Sequence, residues 1–270
     1  MTLFEFLFFV AVGCGVGFLG GLFGIGGGFI MVPILIFTYE HSGVSPSVLT
    51  HIAIGSSLFV VLFTSVSSSY QQSRQKNIEW RAVFVIGFSS VGTAFATARL
   101  AAALSGRHLR VAFALIVITA AIRMLTESKT EAQKKIEFSS KPSTIGLILT
   151  GFAAGIVSAL AGIGGGVFTI PIMYYFLKMP LKLAIGTSSA AIFITALVSV
   201  IGYIMNGMGL PDLPAGSIGF VDLQRGIALA IGTFLLARVG AYVSFRTHPY
   251  RLRKLFALFV IVVSIYLIFK

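Results

Sequence analysis

The chain has 270 residues, 57% hydrophobic and only 10% charged, with a mean hydropathy of +0.98. No soluble domain of this length can hide that much apolar surface, so the composition points to an integral membrane protein. The net charge of +12 would suggest nucleic acid as the partner of a soluble protein. Here the basic residues sit in short connections between apolar segments, which is the pattern of membrane orientation. The expected surroundings are therefore a lipid bilayer, with no nucleic acid partner.

The N-terminus, MTLFEFLFFVAVG, lacks the basic start of a signal peptide and carries Glu5 instead, so it reads as a retained segment. Apolar segments follow at about Leu3–Leu22, Phe29–Thr38, Ser47–Tyr70, Ala82–Leu104 and Val111–Leu125. A polar stretch, Thr126–Pro142, separates them from a second set at about Ser143–Ala161, Val167–Leu177, Leu181–Met205, Gly219–Phe245 and Leu255–Phe269. Most approach the ~20 residues needed to span hydrocarbon. Phe29–Thr38 and Val167–Leu177 are about half that length and read as half-helices. The chain divides into a first transmembrane repeat (1–126), a cytoplasmic linker (127–142) and a second transmembrane repeat (143–270). Cys14 is the single cysteine, so an internal disulfide and a cysteine metal cluster are excluded, and it reads as a small packing residue.

The division rests on a duplicated motif. Gly17–Pro33 reads GFLGGLFGIGGGFIMVP and Gly155–Pro171 reads GIVSALAGIGGGVFTIP. Glycine within a helix costs about 1 kcal/mol relative to alanine, so the runs Gly24–Gly28 and Gly162–Gly166 break their helices. The correspondence continues collinearly. Ala53–Ser57 matches Ala184–Ser188, and Glu79 matches Asp222. Gly92–Thr93 and Ala98–Arg99 match Gly232–Thr233 and Ala237–Arg238, and Leu109 and Phe113–Leu115 match Leu252 and Phe256–Leu258.

Charge sets the orientation. Connections with Arg74, Lys76 and Arg81, with Lys178 and Lys182, and with Arg246, Arg251, Arg253 and Lys254 are basic, as is the central linker. Tyr39–Pro46 and Asn206–Gly216 contain no lysine or arginine. The positive-inside tendency places the first group in the cytoplasm and the second outside. With five segments in each half, equivalent loops fall on opposite faces. The expected fold is an all-α polytopic membrane protein of two inverted-topology repeats, each with a glycine-broken helix pair plus three transmembrane helices. Arg107 and Arg110, which fall outside, argue the other way. One bent span per glycine run would make the halves parallel instead.

A broken helix exposes backbone N–H groups where its second half begins, and these favour an anion. Paired glycine-interrupted segments in two halves are the pattern of a transporter binding site. Gly26, Gly27, Gly28, Gly164, Gly165 and Gly166 are therefore expected to bind substrate, against close helix packing as the alternative. Ser56, Ser57, Thr187 and Ser188 join them as hydroxyl donors without charge. The bland reading is bonding to the carbonyl one turn back. All eight carboxylates fall in loops or at segment ends, so no carboxylate relay is expected, and His51 is the plausible proton carrier or else an interfacial histidine. Arg99 and Arg238 either steer substrate or snorkel to the headgroups. No metal, cofactor or enzymatic nucleophile–base arrangement is expected.

With these residues in view, the chain resembles the TauE/SafE sulfite-exporter family. The resemblance rests on Gly17–Pro33 and its copy Gly155–Pro171, on Gly55–Ser57 and Gly186–Ser188, and on the ending Gly240–Arg246 and Leu252–Phe256. It spans nearly the whole chain. It implies a permease of the bacterial inner membrane, often an exporter, for a small inorganic or organosulfur anion such as sulfite, sulfoacetate or thiosulfate. A homodimer is compatible with this reading. The alternatives in other classes are a channel or carrier for another small ion and a non-transporting membrane scaffold.

Overall fold

The structure, a computed structural model, describes residues 1–101, 142–210 and 212–269. The expected fifth segment of the first half and the linker 127–141, with Arg107, Arg110 and the 109–115 matches, lie outside the described residues.

The helices are α1 (Leu3–Phe23), α2 (Gly28–His41), α3 (Pro46–Arg74), α4 (Trp80–Ala101), α5 (Thr144–Ala161), α6 (Gly166–Tyr175), α7 (Leu181–Gly207), α8 (Leu223–Arg246) and α9 (Pro249–Phe269). Six of them, α1, α3, α4, α5, α7 and α8, are long and apolar enough to cross a membrane. This is an all-α polytopic membrane protein. The expected start at Gly219 is replaced by a two-stranded ribbon, β1 (Ser217–Ile218) and β2 (Val221–Asp222), ahead of α8. Asp222 caps α8 by accepting from the Arg225 N–H at 3.1 Å, so the helix begins after it.

Small residues set the packing. α1 lies along α8 through Gly13 on Leu229, Gly17 on Thr233 and Gly21 on Ala237. A methyl group on Gly17 would stand 2.6 Å from the Thr233 carbonyl oxygen, so only glycine admits this approach. α4 lies along α5 in the same way, with Gly151 on Ile86 and Gly155 on Ser90. Both pairs run parallel, since residue numbers rise together. α3 is also parallel to α8 (Ser56 with Asp222, Ser67 with Phe234), and α4 to α7 (Gly87 with Ile194, Ala98 with Gly202). α3 and α7 are antiparallel, Gly55 lying near Tyr203 and Ser68 near Ser189. Helices α1, α3 and α8 therefore point one way and α4, α5 and α7 the other.

These directions sort the connections onto two faces. The 42–45 turn, the 208–222 connection and the start of α1 share one face. The 75–79 turn, the start of α5, the 176–180 turn and the α8–α9 junction share the other, and with them Arg74, Lys76, Arg81, Lys178, Lys182, Arg246, Arg251 and Lys254. Arg225 and Arg99, at the start of α8 and the end of α4, belong to the first face.

The packing corrects one part of the sequence correspondence. Matching Gly92–Thr93 to Gly232–Thr233 is out of register by three residues, and matching Ala98–Arg99 to Ala237–Arg238 by four. Gly17 and its counterpart Gly155 meet Thr233 and Ser90, while Gly13 and Gly151 meet Leu229 and Ile86. Ser90 thus corresponds to Thr233 and Ile86 to Leu229, the same spacing that relates Glu79 to Asp222. Arg99 and Arg238 are consequently not equivalent. Helices rich in small residues offer several near-matching registers in sequence, and contact with the partner helix selects one.

Candidate functional site

Each glycine run is a tight reversal. Gly24, Gly26 and Gly27 have φ of 69°, 75° and 79°, and Gly162, Gly164 and Gly165 have φ of 69°, 74° and 83°. These values are open to glycine and strained for most other residues. The chain doubles back instead of continuing as one bent span: Gly27 lies against Val16 of α1, and Gly165 against Ala154 of α5. Leu177, just past α6, returns to Gly146 near the start of α5. α2 and α6 are thus short return arms, and both turns are buried.

The two turns meet. Gly28 lies on the Gly162 carbonyl and on Ile163, where a methyl group would stand 2.8 Å from the Ile163 Cα. Gly166 lies reciprocally on Ile25, with 2.8 Å to its Cα, and on the Gly24 carbonyl. Each turn also rests on the long helix of the opposite half, Gly24 on Ile185 and Gly162 on Ile54. The expected convergence of Gly26–Gly28 and Gly164–Gly166 is therefore present. The space between them is filled. Val61 faces Gly26 and Gly28, and its counterpart Ile192 faces Gly164 and Gly166. Both are essentially fully buried, and these branched side chains fill the gap left by the missing Cβ atoms.

All four expected hydroxyls are fully buried beside the turns, and each has a partner. Ser57 Oγ donates to the Gly162 carbonyl at 2.8 Å and lies 3.4 Å from the Gly28 carbonyl, tying one turn to the other. Its counterpart Ser188 bonds Thr169 Oγ1 at 2.9 Å, and Thr169 in turn reaches the Gly166 carbonyl at 3.2 Å. Ser56 Oγ accepts the Asp222 N–H at 2.8 Å, and Thr187 Oγ1 accepts the Glu79 N–H at 3.0 Å. The last two bonds are reciprocal: the start of α8 docks on α3 of the other half, and the start of α4 on α7. Gly55 and Gly186 make room for this docking by receiving the carbonyls of Phe220 and Asn77.

The remaining candidates lie apart from the turns. His51 stacks on Phe220, with ring centroids 5.1 Å apart, near the face of the 208–222 connection. Arg99 is exposed, its guanidinium 4.8 Å over the Phe95 ring. Arg238 is exposed over Tyr70 at 4.7 Å and over Phe234 at 5.3 Å. Their apolar packing is that of side chains carrying their charge outward.

A polar cluster beside Ser56 was not foreseen from the sequence. Asp222 is buried and forms an ion pair with Arg225 at 2.8 Å (Nη1 to Oδ2). The Tyr39 hydroxyl stands 3.2 Å from both Asp222 Oδ2 and Ser56 Oγ. The Arg225 guanidinium lies 5.2 Å over the Tyr39 ring and donates to Ser42 Oγ at 3.2 Å. The signal available in the sequence was Asp222 followed three residues later by Arg225 at the opening of an apolar segment. That is the spacing of a helix cap with an ion pair across the first turn.

The family described as sulfite exporter TauE/SafE matches residues 9–267. The chain belongs to the TauE/SafE family. It is 31% identical over 259 residues to a probable membrane transporter protein of Haemophilus influenzae, covering 96% of each chain. It is 33% identical over 256 residues to a probable membrane transporter protein of Methanocaldococcus jannaschii, covering 93% of this chain and 92% of that one. A probable membrane transporter protein of Bacillus subtilis is 23% identical over 281 residues, with 98% of each covered. No solved structure matches the chain. This TauE/SafE protein is a multi-pass membrane transporter and not an enzyme.

Proposed function

We propose that this TauE/SafE protein is a permease of the bacterial inner membrane that exports a small sulfur-containing anion, such as sulfite, a sulfonate or thiosulfate, between its two glycine turns. The observation that carries the reading is the reciprocal seating of Gly28 on Gly162–Ile163 and of Gly166 on Gly24–Ile25. The turns present the starts of α2 and α6, whose first N–H groups have no partner within their helices and attract negative charge. The inverted relation of the halves, 1–126 and 143–270, is supported by helix direction: α1 opposes α5, α3 opposes α7 and α4 opposes α8.

The conformation described is closed around the turns. In the proposed cycle, one half rocks on the other. Movement of Val61 and Ile192 away from the glycines opens space for the anion. Ser57 and Ser188 then exchange a carbonyl or hydroxyl partner for an anion oxygen, and Ser56 and Thr187 keep the docked helix starts in register. The membrane potential, worth about 2.3 kcal/mol per charge per 100 mV, suffices to drive an anion outward without a carboxylate relay.

The test is flux of radiolabelled sulfite and sulfoacetate in proteoliposomes, with imposed potential and imposed pH gradient applied separately. Saturable flux that follows the potential is expected. Flux of neither anion would remove the substrate assignment. Flux that rises linearly with concentration would replace the carrier with a channel.

A further inference from the structure

On the face where, among the described residues, few are basic, Ser42, Ser45, Asp212 and Arg225 help to line a cavity of about 340 Å³. It lies between the turn joining α2 to α3 and the connection that follows α7. We infer that this cavity is an oxyanion subsite, with Arg225 as the residue that selects the substrate on that side of the membrane. The inference rests on the reading of the protein as an anion permease and adds a second, peripheral station to it.

Three observations carry it. The first is charge. The chain contains no lysine or arginine in residues 1–73 or 183–224, and Arg225 is the one lysine or arginine in the cavity lining. Although paired with Asp222, the guanidinium is a planar, permanently charged fork whose remaining N–H groups are suited to an oxyanion.

The second observation is preorganisation. The Arg225 side chain is 23% exposed while Asp222 is 1% exposed, so the carboxylate holds the guanidinium from beneath and leaves its outer edge to the cavity. The Tyr39 ring supports one face, and Ser42 fixes Nη2. Asp222 is itself fixed by the Arg225 N–H and by Tyr39, so the pair does not collapse when an anion competes for the guanidinium. Asp212, also in the lining, opposes any anion, so the site holds one only where the bonds from the guanidinium outweigh that repulsion.

The third is continuity with the glycine turns. Asp222 bonds Ser56, and the next residue, Ser57, bonds the Gly162 carbonyl. The start of α8 below the cavity is therefore tied, through the neighbouring Ser56 and Ser57, to the place where the turns meet. The opposite face repeats the backbone docking, with Glu79 on Thr187. It does not repeat the guanidinium: Arg225 lies three residues after Asp222, and the position three residues after Glu79 is Ala82. The subsite is one-sided, which gives the two faces different affinities for the same anion.

Two measurements on the full chain test the inference. In proteoliposomes, Arg225→Gln is expected to raise KM for sulfite about tenfold or more with kcat little changed, the loss of one charge-assisted hydrogen bond. Arg225→Lys should fall between it and the unaltered protein. A fall in kcat at constant KM would make Arg225 a structural clasp between the halves and overturn the proposal.

The second measurement needs no transport. With Cys14→Ser and Ser45→Cys, labelling by a cationic thiosulfonate reagent is followed in sulfate and in chloride at equal ionic strength. Sulfate is expected to slow labelling, and Arg225→Gln to abolish that protection. Absence of protection in the Arg225 protein would overturn the subsite whatever the protein transports. Protection without sulfite flux would keep the subsite and refute the sulfite assignment alone.

Discussion

Replacing Gly28 by alanine tests whether the two turns are in contact as described. Gly28 opens α2 and is not among the glycines with positive φ, so the backbone itself accepts alanine. Helix propensity alone would favour the change by up to about 1 kcal/mol. The added methyl group, however, meets the Gly162 carbonyl, with Ile163 Cα at 2.8 Å and Val61 Cγ2 at 3.0 Å. Two of these neighbours are backbone and cannot rotate away, so overpacking costs about 1–3 kcal/mol. Displacing the Gly162 carbonyl also weakens its 2.8 Å bond from Ser57, worth about 1 kcal/mol. The balance is a destabilisation of about 1–3 kcal/mol, or a fall of several degrees in Tm for a chain of this size.

Gly15→Ala is the matched control, since a methyl group there meets nothing within 4 Å. Thermal unfolding of the purified proteins in one detergent reads both. The reasoning fails if Gly28→Ala melts with Gly15→Ala, at or above the parent temperature, because the turns would then not be seated on each other.

Ser57→Ala leaves the buried Gly162 carbonyl without its hydroxyl donor, and about 1 kcal/mol of stability should be lost. If Ser57 also turns to the anion, sulfite KM rises by more than that loss explains, and equal losses in binding and stability would make the hydroxyl purely structural. Val61→Ala opens space beside Gly26 and Gly28 and should lower Tm while raising flux per folded molecule. Unchanged or reduced flux would show that Val61 does not block the path. Tyr203→Phe removes a buried 2.7 Å bond from its hydroxyl to the Ala159 carbonyl. It should cost about 1 kcal/mol in unfolding and leave KM unchanged, and a shifted KM would place Tyr203 in the permeation path.

Much of this arrangement was legible in the sequence. Four glycines in five positions, twice, dictated the reversals at Gly24–Gly28 and Gly162–Gly166. The shortness of the following apolar runs marked α2 and α6 as half-helices. Composition gave Ser56, Ser57, Thr187 and Ser188 as polar residues beside the turns, but not their partners, because a hydroxyl bonds whichever carbonyl the tertiary fold delivers. Val61 and Ile192 were invisible for the same reason: one valine and one isoleucine among many aliphatic residues carry no signal until the glycines they face are known. The Asp222–Arg225 pair was hidden by the ribbon at Ser217–Asp222, which starts α8 later than hydropathy suggests. Register along α4 and α8 failed because small residues recur there often enough for two alignments to look alike.

The crossed pairing of helices constrains how the protein can be assembled. α1 has its glycine-lined partner in α8, more than two hundred residues downstream, and α4 packs on α5 and α7, both in the second half. When the ribosome has released the first half, the backbone contacts that hold α1 at Gly13, Gly17 and Gly21 do not yet exist. Completion is deferred until α8 enters the bilayer, so neither half has a finished interior by itself. Two halves expressed as separate chains would have to find each other as an obligate pair, much as two subunits do.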